Sequence, residues 1–145
     1  MNRILDHLWG RTGDSEAGMV SAFVVIFTTA LVVMAGLVLD GGLALSAKVQ
    51  AIDDAQAAAR AGAQAIDIPL YRATGQITLD PTQATADTQH YLARIGESGT
   101  VRVEGDQVTV TVAISQHTQI LSIAGIDQIT VSGSGNATAE QGANP

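Results

Sequence analysis

Between Glu16 and Asp40 the chain runs for 23 residues, Ala17 to Leu39, without one charged side chain. At 1.5 Å per residue a helix of that length reaches roughly 34 Å, against a hydrocarbon core of about 30 Å, so the run predicts a transmembrane helix over 17–39. A cleaved secretory signal is the competing reading of such a stretch. Its apolar region is shorter, its leader is basic, and a small-x-small site follows directly. Here the leader, residues 1–16, sets Asp6, Asp14 and Glu16 beside Arg3 and Arg11, and Asp40 stands where the cleavage site should be. Val33-Met34-Ala35, the nearest match to such a site, lies inside the run. Arg3 and Arg11 precede the span and Lys48 follows it, so the positive-inside rule favours a cytoplasmic N-terminus. The expectation is a single-pass protein of the cell membrane whose residues from Asp40 onward are extracytoplasmic.

Composition limits what that outer part can be. The chain has 145 residues, 46% of them hydrophobic but only 3% aromatic, so its apolar content is mainly Ala, Val, Ile and Leu and its core must be thin. With no cysteine there is no thiol chemistry, cysteine-ligated zinc or disulfide. From Asp40 onward eleven acids face five bases, Lys48, Arg60, Arg72, Arg94 and Arg102, and this acidic balance argues against nucleic acid as a partner.

Helical patterning does not stop at the membrane. Leu45, Val49, Ile52, Ala59, Ala63 and Ile66 recur at alternating steps of three and four, with polar Gln56 in the seam, which predicts an apolar stripe on an extracytoplasmic continuation over 40–67. The whole helix would run from about Ala17 to about Asp67, roughly 75 Å, with a bend at Gly41-Gly42 as one option. Its outer half is too long to stand on propensity alone and must pack on something. Ile68-Pro69 ends it, because a residue before proline is pushed out of helical geometry. Residues 68–138 then read as a small α+β domain, followed by a flexible tail over 139–145. Asp80-Pro81 opens a short helix running to Gly96, with Tyr91, Leu92 and Ile95 as its apolar face. From Thr100 the period changes to two: Val101 and Val103, a turn at Gly105-Asp106, then Val108, Val110, Val112 and Ile114 predict a hairpin. "HTQILSIAG" reads either as a connecting turn or as a short helix, Ile120, Leu121 and Ala124 suggesting one or two helical turns packed on the sheet, and "QITVSGSGNATAE" predicts a third strand weakening at Gly133 and Gly135. The predicted class is α+β: one long helix, one short helix and an antiparallel sheet of about three strands.

The segments "GMVSAFVVIF" and "LVLDGGLALSAKVQAIDDAQAAARAGAQA" resemble the TadE/TadG-like family of Flp (tight-adherence) pilus-assembly proteins, in particular the actinobacterial TadG-like form. Gly18 stands at the family's glycine, Asp40 and Gly42 at its Asp-x-Gly, and Gln50, Asp53 or Asp54 and Ala57 to Ala59 in its alanine-rich stretch. "LSIAGID" before "QITVSGSGNATA" is similar to its closing segment. The resemblance covers residues 11–67 clearly and the remainder by pattern. It implies a small outer domain ending in a valine- and threonine-rich strand pair, with partners among the membrane, other pilin-like subunits, the pilus-assembly machinery and a prepilin peptidase. It also marks a departure. The family's polymerising members carry a glutamate at the fifth position after the glycine, where this chain has Phe23. That acid would neutralise a neighbour's new amino terminus inside an apolar bundle. Its absence, shared with TadG-like members, points to a minor or assembly-linked subunit.

Each position keeps a plainer reading beside the sharp one. Gly18 is either a peptidase site that leaves Met19 as the mature terminus or a helix-entry glycine at the membrane surface. Asp40 either contacts a partner or marks where the helix meets water, where an acid is inexpensive. The alanine seam packs on other helices or on the chain's own sheet. His7, His90 and His117 are isolated, and Asp53-Asp54 lacks the looped pattern of a calcium site, so no metal and no cofactor is expected. Asn136-Ala137-Thr138 is a formal glycosylation sequon. With no catalytic constellation in the sequence, the expected activity is not enzymatic. A pseudopilin-like component of a Flp-type pilus system is the leading expectation; a membrane-anchored adhesin or cell-wall-binding module is the alternative, and an enzyme or chaperone accessory a third.

Overall fold

The computed structural model describes residues 13–140. His7 and the arginines that set the orientation, Arg3 and Arg11, lie outside the described residues, as do most of the leader and of the tail. The described chain folds as α+β. Helix α1 spans Gly13–Gly62, α2 Ile68–Thr74 and α3 Pro81–Ile95; strand β1 spans Gly99–Glu104, β2 Gln107–His117 and β3 Gln128–Thr138, with a 3-10 turn at Leu121–Ala124 between the last two. The strands form one antiparallel sheet in the order β1-β2-β3.

Helix α1 is one 50-residue element, and its helical backbone continues through Gly41-Gly42. From Gly18 to Leu39 its bulky side chains are exposed, and it is the one described helix long and apolar enough to cross a membrane. It ends at Gly62, five residues before the expected Asp67. A methyl group at Gly62 would stand 2.9 Å from the Ala84 carbonyl oxygen, so glycine here lets α3 cross close by. The chain then turns through 63–67, and Ile66 makes an isolated bridge with Leu79. Where the sequence predicted only a stop, Ile68-Pro69 also opens α2. The Asp67 side chain accepts from the Leu70 amide at 2.9 Å, and proline occupies a first-turn position where no amide is needed. Asp80 caps α3 in the same way, accepting from Thr82 and Gln83.

The outer half of α1 and the whole of α3 cover one face of the sheet. Between them lie Leu79, Leu92, Val108, Val110 and Val112, with Ala55, Ala58, Ala59 and Ala84 completing the buried cluster. The hairpin turns at Gly105, φ 62, in the first loop position, which a type II′ turn gives to glycine. On the far face Thr111 and Ser134 share a hydrogen bond at 2.9 Å, and Ser115 and Thr130 one at 3.1 Å.

Three expectations are corrected by this packing. Of the expected stripe Ala59, Ala63 and Ile66 do pack at the core, but Leu45, Val49 and Ile52 point outward; the buried row on α1 is Ala47, Ala51, Ala55 and Ala58, with Gly62 against α3. Strand β3 does not weaken at Gly133 and Gly135; they are its most buried positions, laid against the backbone of Ala51 and Ala55. Two strand residues rise about 6.8 Å and four helical residues about 6.0 Å, so alternate β3 positions keep step with successive turns of α1. The close approach leaves room for alanine on the helix and glycine on the strand. On α3 the buried face is Ala84, Thr88 and Leu92; Tyr91 is half-buried and Ile95 exposed.

Candidate functional site

The resemblance singled out Gly18, Met19, Asp40, Gly42, Gln50 and Asp53, and the structure treats them very differently. Gly18 and Met19 are exposed on α1, and the bond between them lies within helix. Phe23, five residues on, is exposed and stacks on Phe27, ring centroids 5.9 Å apart at 12°. Gly42, Gln50 and Asp53 are exposed, and nothing lies within 4 Å of a methyl group placed on Gly42. These positions do not converge on a pocket.

Asp40 is the exception. Both readings carried from the sequence placed its carboxylate against something outside the chain, a partner or water. Instead its residue is 2% exposed, and the carboxylate receives three backbone amides from the loop joining β2 to β3. Gln119 donates to Oδ1 at 2.8 Å; Ile120 and Leu121 donate to Oδ2 at 3.0 and 2.8 Å. The amide of Leu121 foremost, with those of Gln119 and Ile120, holds the carboxyl below its ordinary value of 3.8, against the opposing effect of burial. The first acid after the uncharged run is thus a clamp across some 80 residues of sequence. Hydrogen bonds to an ionised acceptor are about twice as strong as neutral ones, so one side chain can fix the loop.

The loop is closed at its base by Thr118. Its amide donates to the Asp127 carbonyl at 3.1 Å, and its hydroxyl to the carbonyl of Ile126. Further along, Ile123 donates to Ile120, Gly125 to Ser122 and Ile126 to Leu121. The 3-10 turn was expected on the sheet but lies on α1. Gly36 makes this contact: a methyl there would stand 2.8 Å from Ile120 Cβ. Below it, Thr28, Thr29, Val32 and Val33 of α1 share an apolar cavity of about 390 Å³ with Ile120, Leu121 and Ile123. Higher up, Lys48 Nζ donates to the Ser132 carbonyl and Gln56 Nε2 to that of Asn136 at 3.4 Å, so β3 is tied along the outer half of the helix.

A second depression, about 420 Å³ and open, lies between α1 and α3. Arg60, Asp87, His90, Tyr91 and Arg94 line it, with the Arg94 guanidinium 5.2 Å from the Tyr91 ring centroid. Among the described residues no three His, Asp or Glu side chains gather as metal ligands would. His117 lies 3.4 Å from Gln128 Nε2, and Asn136 is exposed on β3.

The clamp was missed because an acid at the end of a span has a sufficient explanation in water. The signal that could have found it is spacing. Gly36, Asp40, Ala44, Ala47, Ala51, Ala55, Ala58 and Gly62 follow one another at steps of four and three, so Asp40 belongs to the stripe of small residues that faces the domain. No family model, no curated protein and no solved structure matches this chain.

Proposed function

We propose that the chain is a pseudopilin-like, non-enzymatic component of a Flp/Tad-type pilus assembly system, a minor subunit or an assembly and priming factor. It is held single-pass in the cell membrane, N-terminus cytoplasmic and sheet domain extracytoplasmic. The observation that carries this reading is the construction of α1. One unbroken helix has a bare apolar half long enough for a bilayer and a half covered by a sheet packed onto its alanines. A subunit built so can be stored in the membrane and moved out of it without refolding. The outward row of Leu45, Val49 and Ile52 leaves a second helix face for neighbouring subunits. Phe23, in the place of the polymerising glutamate, supports a role beside the filament body.

Deletion of the gene tests the reading: surface pili should be lost or shortened while the major pilin is still made, and unchanged piliation would overturn it. Mass spectrometry of the native N-terminus separates its two forms. A chain beginning at Met19 is processed as a pilin-like subunit, and one beginning at Met1 is a permanent anchor. The second reading, an anchored adhesin or cell-wall-binding module, is favoured by the open depression between α1 and α3, where Arg60, His90 and Arg94 face solvent. It predicts that the full-length chain in nanodiscs retains cell-wall fragments, and that Arg60→Ala with Arg94→Ala releases them.

A further inference from the structure

The loop between β2 and β3 has features that its position in the sheet domain does not call for. No charged residue occurs between His117 and Asp127, Ile123 is 87% exposed and Ile126 49% exposed. A single exposed isoleucine is ordinary on a protein surface. Here the exposed apolar surface continues onto the uncharged half of α1, through the cavity that Ile120, Leu121 and Ile123 share with Thr28 to Val33.

We infer that this loop is a second membrane contact: its tip, residues 120–126, sits in the hydrocarbon of the leaflet nearest the sheet domain, and lipid acyl chains fill the cavity beside α1. The inference rests on the membrane-spanning reading of α1 and is independent of a role in pilus assembly. Length carries the argument. From Asp40 to Thr28 the helix descends twelve residues, about 18 Å; the loop is seated on it at Asp40 and Gly36, and the cavity the two share reaches Thr28. If the loop and the apolar cavity beside it stayed in water, only residues 17–27, about 16 Å of helix, would be left to cross a core of about 30 Å. The span can cross only if the tip of the loop goes in with it.

Backbone chemistry supplies an independent reason. Irregular backbone is tolerated at membrane depth where its polar groups are bonded within the protein. Six amides of the loop meet this demand: those of 119–121 are bonded to Asp40 and those of Ile123, Gly125 and Ile126 to carbonyls of the loop itself. Asp40, whose two oxygens are both engaged, meets the same requirement for a carboxylate at the membrane edge.

The chain contains no cysteine, so single-cysteine variants can each carry one nitroxide label. Ile123→Cys and Ile126→Cys probe the loop, Val25→Cys the exposed face of the span, and Thr100→Cys the sheet. In full-length protein reconstituted in phosphatidylcholine nanodiscs, collisions with oxygen and with a water-soluble nickel chelate are read by power saturation. The expected result is that labels at 123 and 126 lose the nickel collisions seen at 100 and gain the oxygen collisions seen at 25. Nickel access at 123 and 126 with lipid-like behaviour at 25 overturns the inference and leaves the span intact. Nickel access at 25 as well overturns the membrane-spanning reading itself. Protection from both reagents at 123, with lipid-like behaviour at 25, shows a second protein covering the loop and also overturns the inference.

Discussion

Replacing Gly135 with alanine tests whether helix and sheet lie in backbone contact. The added methyl would run into the backbone of Gln56 and stand 2.6 Å from the carbonyl carbon of Ala55, where ordinary contact begins at 3.4 Å, so strand and helix must separate by more than about 0.8 Å. The obstacle is helix backbone and cannot rotate away. Two effects oppose each other. Alanine in place of glycine in a strand gains about 0.5–1 kcal/mol by restricting the unfolded chain, while overpacking costs typically about 1–3 kcal/mol. Overpacking wins here, because β3 is held by β2 along its whole length and cannot retreat without straining eleven paired positions. With overpacking at the top of its range, because the obstacle is backbone, the expected net loss is about 2 kcal/mol, which for a domain near 100 residues lowers the midpoint of thermal unfolding by roughly 8–16 °C. Gly42→Ala is the companion measurement. Gly42 is a helical, exposed glycine with nothing within 4 Å of the new methyl. It should raise stability by about 0.5–1 kcal/mol through the same entropy effect. Thermal unfolding in detergent micelles, followed by circular dichroism of the sheet, reads both. If Gly135→Ala falls within about 0.5 kcal/mol of the parent, the range of ordinary surface substitutions, the proposed contact between β3 and α1 is wrong.

Other outcomes follow from the same structure. Leu79→Ala removes a side chain that is 1% exposed in the core and should destabilise by about 2–5 kcal/mol in the same unfolding assay. Asp80→Ala leaves the Thr82 and Gln83 amides of α3 without their cap and should cost about 1 kcal/mol. Asp40→Asn should speed hydrogen exchange at Gln119, Ile120 and Leu121, because an amide oxygen cannot replace two carboxylate oxygens. The pH dependence of the clamp follows from the lowered pKa of Asp40. Its stabilisation is complete above the ordinary value of 3.8 and is lost as pH falls through the lower folded value, so amide protection in the loop should stay flat from neutral pH to about 5 and decline below 4 in the parent but not in Asp40→Asn. Leu45→Ser with Val49→Ser, at exposed positions, should leave the unfolding midpoint within a few degrees and, under the proposed pilus role, reduce co-purification of pilin-like partners.

The elements were legible in the sequence wherever one residue type left one choice. Asp80-Pro81 could only begin a helix, and the valine alternation around Gly105-Asp106 could only be a hairpin. The faces were harder. Leu45, Val49 and Ile52 carry the helical period, and in most amphipathic helices the bulky apolar residues face the core. Here the partner is a strand whose inward positions include Gly133 and Gly135, so proximity of backbones replaces side-chain volume, and alanine occupies the buried stripe. Glycine in a strand ordinarily signals weakness. Its second meaning, close approach of another backbone, could be read only by pairing two segments some 80 residues apart. Asp40 was obscured for the same reason: its donors are main-chain amides, which carry no residue identity that a sequence displays.

Under the proposed role the chain leaves the membrane as a subunit, and the clamp bears on how. In this chain the small-residue stripe runs without a break from Gly62 through Asp40 to Gly36, and the loop it holds belongs to the sheet domain. A pull on the domain therefore reaches α1 both along β3 and, further down, at Gln119 to Leu121. Domain and upper span would move as one body, and a loop seated in lipid, as inferred above, would keep its three bonds to Asp40 as it left. Severing the clamp while leaving the sheet intact, as Asp40→Asn does, should uncouple these two attachments. Exchange protection would then fall in the loop and remain unchanged in β2 and β3. Equal loss in both would mean that the loop and the sheet form one cooperative unit and that Asp40 supports the whole domain rather than its membrane end.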